Sequence, residues 1–276
     1  MRSRHVRNWT SEAMMSSPTI KRLACRAKAP VWLVLGLCAA LGSLPASAAD
    51  IMVAAASSLT NAFQDIGKEY EKANPGFRVL FNFGASGQLL QQILRGAPVD
   101  VFASADAETM DRAERQNLIF RDSRANFAAN KLLLIAPGDS TLPLSSLSDL
   151  SAPAVKKIAL GNPDSVPVGR YSKAAMEKAG VWESLLPKFV YAQNVRQSLD
   201  YVFRGEVEAG FVYATDAAVS PVKVRVVMEV PTEAPIVYPI AAVKGYGSEN
   251  RARSFIAFLR SEAGQKILDK YGFKRP

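Results

Sequence analysis

Two serine-bearing turns hold the residues of this chain best placed to do chemistry. Ser58 lies in Ala54-Ala-Ala-Ser-Ser-Leu-Thr60 and Ser86 in Phe83-Gly-Ala-Ser-Gly87, and each turn joins an apolar, strand-like run to an amphipathic segment. A hydroxyl at such a junction can cap the following helix by accepting one of its free N–H groups. It can also donate to an anion. A helix start carries unpaired N–H groups and about half a unit of positive dipole charge, and small residues let a ligand approach the backbone. One such turn reads first as a cap, whereas two in the same half of the chain weigh cap and anion site about equally. Pro167-Val168-Gly169-Arg170 and Asn194-Val195-Arg196 supply two more helix starts. Four together could hold a dianion by hydrogen bonds alone, each contributing about 1.5–3 kcal/mol to a charged acceptor.

Enzyme chemistry finds little support. Gly84-Ala85-Ser86-Gly87 lacks the G-x-S-x-G spacing of a nucleophile elbow. Neither serine turn contains an S-x-x-K pair, and no phosphate-cradling glycine loop occurs. Asp100 and Asp106 flank a strand end, but two acids alone point to capping or solvated roles before a metal site. An exported hydrolase using Ser58 or Ser86 with a lysine is the reading from another functional class.

The first 48 residues read as a targeting segment. Basic residues from Arg2 to Lys28 precede the apolar run from Ala29 to Gly42, and Ala46-Ser47-Ala48 offers a signal-peptidase exit before Ala49. The run is shorter than the ~20 residues that span a bilayer. Met14 or Met15 is an alternative start, and Leu37 before Cys38 argues against lipidation. Removing this segment takes away His5, Cys25 and Cys38, and with them Ser-His-Asp, thiol and Cys/His zinc chemistry. It also takes seven of the 34 Lys/Arg and one of the 25 Asp/Glu, leaving a net charge of +3 instead of +9. That mild balance can help attract an anion and is not a nucleic-acid signature.

The elements that must position these turns alternate. Ile51–Ala55 reads as a strand. Leu59, Ala62, Phe63, Ile66 and Tyr70 form one helical face, stopped by Asn74-Pro75-Gly76. Strand Phe77–Phe83, a helix with Leu89, Leu90, Ile93 and Leu94, strand Val99–Ala103 and a helix from Ala107 to Leu118 follow. Lys131–Pro137 opens a second half with strands at 158–160, 209–213 and 222–230, a helix after Gly169, and another through Val195 and Leu199. A proline-rich passage, Pro231–Pro239, leads to Ile240–Val243 and two terminal helices. This order predicts an α/β fold of two lobes, each a mainly parallel sheet flanked by helices, with ligands beyond the carboxyl ends of strands. The expected boundaries are 49–130 with 237–276 for the first lobe and 131–236 for the second, with crossings near Asn130 and Val237.

At these turns the chain resembles the periplasmic molybdate-binding proteins of ABC importers, which have the type II periplasmic binding-protein fold. The shared motifs are AAASSLTNAFQDI (54–66), FNFGASGQLLQQI (81–93), GAPVDVFASAD (96–106), GNPDSVPVGRYSKAAMEKAG (161–180), NVRQSL (194–199), GFVYATDA (210–217) and KYGFKRP (270–276). The resemblance implies that a tetrahedral oxyanion, molybdate or tungstate, lies between the lobes and is held by neutral donors. Carried over, these are the hydroxyl and N–H groups of Ser58 and Ser86, the N–H groups of Val168 and Val195, and the Tyr213 hydroxyl. Ser57 competes with Ser58, and by itself Tyr213 reads as a half-buried strand aromatic. The resemblance further implies no cofactor, and a monomer that docks on an inner-membrane permease driven by a cytoplasmic ATPase. A sulfate or thiosulfate receptor is the rival within the binding class.

Overall fold

The computed structural model describes residues 49–219 and 221–276; the targeting segment and its cleavage point before Ala49 lie outside the described residues. β1 (Ala49–Ala56) leads through a single 3-10 turn, Ser57–Leu59, into α1 (Thr60–Ala73). β2 (Phe77–Gly84), α2 (Ser86–Leu94), β3 (Val101–Ala103) and α3 (Ala107–Arg115) follow. These three strands pair in parallel in the order β2-β1-β3. The sheet is then extended by β10 (Ile236–Ala242), antiparallel to β3, and by β4 (Ala125–Asn130), antiparallel to β10. Alternate residues of β1 face opposite layers, as the strand period requires. Ile51, Val53 and Ala55 pack with Phe63, Ile66 and Tyr70 of α1, while Ala54 packs with Leu89, Leu90 and Met110 of α2 and α3. The apolar face read for α1 is buried throughout.

The second lobe repeats the plan. β5 (Leu132–Pro137), β6 (Ile158–Gly161), α4 (Pro167–Lys178), α5 (Trp182–Leu185), β7 (Phe189–Ala192), α6 (Val195–Phe203), β8 (Ala209–Tyr213), α7 (Ala214–Ala217) and β9 (Val224–Val230) occur in chain order. The sheet runs β7-β6-β8-β5-β9, with β6 parallel to β7 and β8, and β5 antiparallel to β8 and β9. The fold is therefore the expected two-lobed one, mainly parallel with one antiparallel strand in each sheet. The chain changes sheet between Asn130 and Leu132 and again between Val230 and Ile236.

Three local readings need correction. The passage Pro231–Pro239 is not all linker, because β10 begins at Ile236 and passes through Pro239. The register against β4 shifts between Tyr238 and Pro239, and a bulge is where a strand tolerates a residue without N–H. Two short strands, β4 and β7, escaped the sequence reading. Helix α4 starts at Pro167, two residues ahead of Gly169. Proline suits the first helical position because its missing N–H would have gone unpaired there. α8 (Glu249–Arg260) and α9 (Glu262–Lys270) complete the first lobe, where Phe255 packs edge-on against Phe63 and Tyr70.

Candidate functional site

Neither serine is a helix cap, which corrects the simpler reading of both turns. Ser58 sits inside the 3-10 turn, and Leu59, not Ser58, precedes α1 without a side-chain cap. The Ser58 hydroxyl instead lies 3.0 Å from the Tyr238 hydroxyl. Ser86 is the first residue of α2, preceded by Ala85, again without a cap bond. Its Oγ accepts the N–H of Ala105 at 3.0 Å, so its own hydrogen is free to donate elsewhere. Both side chains are buried. The competing Ser57 is also buried, with its carbonyl accepting the Thr60 hydroxyl at 2.7 Å.

The second lobe brings two helix starts to the same place. Val168 is the second residue of α4, and no partner occurs for its N–H among the described residues. Gly169 permits this approach: a Cβ there would stand 1.9 Å from the carbonyl oxygen of Gly161 at the end of β6. At α6, the side chain of Asn194 accepts from the N–H groups of Arg196 and Gln197 at 3.0 and 3.1 Å. That N-cap serves the second and third donors and leaves the first, Val195, unspent. Tyr213 ends β8, and its fully buried hydroxyl has no hydrogen-bond partner. Burial pushes its phenol well above the ordinary tyrosine range, so it remains a protonated donor.

All five residues named from the sequence line one cavity, together with Ala56, Ser57, Gly84, Ala85, Ala105, Val166 and Pro167. Its open volume is about 10 Å³. That is about the room of one water molecule, far too little for a sugar or a peptide. The lobes touch across it. Gly87 donates its N–H to the carbonyl of Ser165 at 3.0 Å. Arg170 of the second lobe reaches Asp106 of the first with Nε at 3.0 Å and donates to the Thr109 hydroxyl at 2.8 Å. Asp106 also caps α3 by accepting the N–H of Thr109. Asp100 accepts the N–H of Met52 at 2.7 Å. Both acids thus have structural partners, and the described residues contain no cluster of metal ligands.

Four residues near the site were not read as part of it from the sequence: Tyr238, Asn130, Thr215 and Asp216. Asp216 is buried behind Tyr213, whose N–H it accepts at 3.3 Å. Arg196 Nε stands 2.6 Å from its carboxylate, off the line that a hydrogen bond needs. Burial pushes the Asp216 carboxyl up to about 6, with the Arg196 guanidinium pulling the other way. Arg196 also donates to the carbonyl of Ser58 at 3.3 Å. The arginines of both second-lobe motifs are thus committed to carboxylates, and the cavity lining itself is uncharged. Such a lining offers hydrogen bonds to an anion while avoiding the desolvation of a second, opposite charge.

Two α/β lobes closing on a small cavity of unspent donors define a solute-binding protein. Residues 51–274 match the family model of the bacterial extracellular solute-binding proteins, and the chain belongs to that family. Its relatives narrow the class. It is 38% identical over 225 residues to a putative ABC transporter substrate-binding lipoprotein, YvgL of Bacillus subtilis, covering 81% of this chain and 85% of that protein. It is 35% identical over 241 residues to the molybdate-binding protein ModA of Haemophilus influenzae, covering 86% of this chain and 94% of that one. The fold matches the periplasmic molybdate-binding protein of Azotobacter vinelandii with a TM-score of 0.73 at 23% identity, over 82% of this chain and 99% of that one. The chain is a binding protein and not an enzyme, and the serine-hydrolase reading is set aside.

Proposed function

We propose that this chain captures molybdate or tungstate outside the cytoplasm and delivers it to an ABC permease driven by a cytoplasmic ATPase. The observation that carries the reading is the buried hydroxyl of Tyr213, left without a partner at a cavity too small for a sugar or a peptide. A buried polar group without a partner costs about 1–3 kcal/mol, and a bound oxyanion would relieve that cost. Around it the Ser58 and Ser86 hydroxyls and N–H groups and the N–H groups of Val168 and Val195 supply further donors. A donor-only lining suits a fully deprotonated tetrahedral dianion. The proton of hydrogen phosphate would find no dedicated acceptor, and sulfate, being smaller, would leave the donors too far away. The molybdate-binding relative supports the same ligand.

In this reading the protein works as a monomer, its signal segment is cut before Ala49, and the lobes hinge at Asn130–Leu132 and at residues 231–235. Replacing Ser86 by alanine is expected to weaken molybdate binding about tenfold, at the lower end of a charged hydrogen bond's worth. The loss stays at that end because the backbone N–H of residue 86 still donates. Calorimetric titration checks this, and an unchanged dissociation constant would remove Ser86 from the site.

A further inference from the structure

We infer that Tyr238, oriented by Asn130, fixes the Ser58 hydroxyl as a donor into the cavity and so makes this corner of the site selective for oxyanions that carry no proton. The inference rests on the proposed role of Ser58 as a ligand donor. It begins at the first crossing between lobes. The backbone N–H of Lys131 donates to Oδ1 of Asn130 at 2.9 Å. A backbone N–H can only donate, so this contact settles which end of the Asn130 amide is oxygen.

The other end, Nδ2, therefore donates, to the Thr215 hydroxyl at 2.8 Å and to the Tyr238 hydroxyl at 3.3 Å. Tyr238 is buried between Phe127, Tyr213 and Phe273. With its oxygen already accepting from Asn130, its single hydrogen has one partner within reach, the Ser58 oxygen at 3.0 Å. If Ser58 donated to Tyr238 instead, the phenolic hydrogen would be buried without an acceptor among the described residues. The arrangement that spends every hydrogen runs from Asn130 to Tyr238, from Tyr238 to Ser58, and from Ser58 into the cavity. Burial drives the Tyr238 phenol well above its ordinary range, which keeps that hydrogen in place.

Ser86 is held in the same sense by a simpler device, since its oxygen already accepts the N–H of Ala105. Two hydroxyls in the lining thus each accept one hydrogen bond from behind, which turns their own hydrogens toward the cavity. A ligand oxygen that accepts is satisfied at both. A ligand hydroxyl that must donate meets, at both, an oxygen whose hydrogen already points toward it. The relay also joins the donor Ser58 to the crossing at Asn130 and to Thr215 of the second lobe, so the donor is set as the lobes come together.

The test is a titration of wild type, Tyr238→Phe, Ser58→Ala and the double variant with molybdate, and with hydrogen phosphate in competition at pH 7. Thermal unfolding of each empty protein verifies folding. Tyr238→Phe is expected to weaken molybdate about threefold to tenfold, as loss of one neutral hydrogen bond would. Hydrogen phosphate should hold or gain, so that the ratio between the two anions narrows by about the same factor. The double variant should bind molybdate no more weakly than Ser58→Ala, because Tyr238 acts through that serine. Additive losses in the double variant, or an unchanged ratio between the two anions, would overturn the inference. Absence of molybdate binding by wild type, or a Ser58→Ala variant that binds like wild type, would overturn the site reading beneath it.

Discussion

Replacing Tyr213 by phenylalanine should weaken oxyanion binding by about 10- to 100-fold while leaving the empty protein as stable as before or more so. The two effects have opposite signs for one reason. With the lobes closed and no anion between them the Tyr213 hydroxyl is buried and unpaired, and with the lobes apart it faces water, so its removal costs the empty protein nothing. In the complex the same hydroxyl is the side chain's entire contribution, with no N–H of its own in reserve, because the Tyr213 N–H is directed to Asp216. The ring stays, so the hole left is small and the anion cannot move into it. Calorimetry with molybdate and thermal unfolding without it read the two halves separately. A variant that loses stability and keeps its affinity would make Tyr213 a core aromatic and nothing more.

The second large effect concerns closure. Gly87 lies in the first turn of α2 and donates its N–H across the cleft to Ser165. A Cβ at this position would stand 2.6 Å from the Ser165 carbonyl oxygen and 2.9 Å from its Cα, both backbone atoms of the facing lobe. Neither can swing aside as a side chain could. Gly87→Ala is therefore expected to hold the lobes apart, at the cost of about 1–3 kcal/mol typical of overpacking, or roughly 5- to 150-fold in affinity. The cost falls on the closed form alone. Within the helix itself alanine is favoured over glycine by about 0.5–1 kcal/mol, and Gly87 has no positive φ to forbid it. The empty variant should melt no lower than wild type. Equal affinity in variant and wild type would show that the contact between Gly87 and Ser165 is not needed for binding.

How much of this was legible in the sequence differs between the two lobes' turns and the strands behind them. Leu59, Phe63, Ile66 and Tyr70 announce α1 because helix periodicity is a local property, and the turns before α1 and α2 are local as well. The five candidate residues lie at strand ends and helix starts, where an α/β fold exposes its free donors. What Ser58 and Ser86 do with their oxygens was not legible. Each bonds to a residue far along the chain, Tyr238 for one and Ala105 for the other, and no local pattern marks such a partner. Tyr238 was hidden further by its neighbours, since three prolines in Pro231–Pro239 read as linker. The run of strand-forming residues Ile236-Val237-Tyr238 was the available sign of a strand, but it is three residues long. Asp216 illustrates the same limit: its burial depends on β8 and α6 meeting, which the sequence of α7 alone does not state.

We propose that this cavity binds one fully deprotonated tetrahedral oxyanion through neutral donors. The most direct test is calorimetric titration of residues 49–276 with molybdate, tungstate, sulfate and hydrogen phosphate in turn. Tight one-to-one binding of the first two, micromolar or better, is expected, with weak or undetectable heat from the others. Preference for sulfate or hydrogen phosphate over molybdate, or silence from all four, would contradict it.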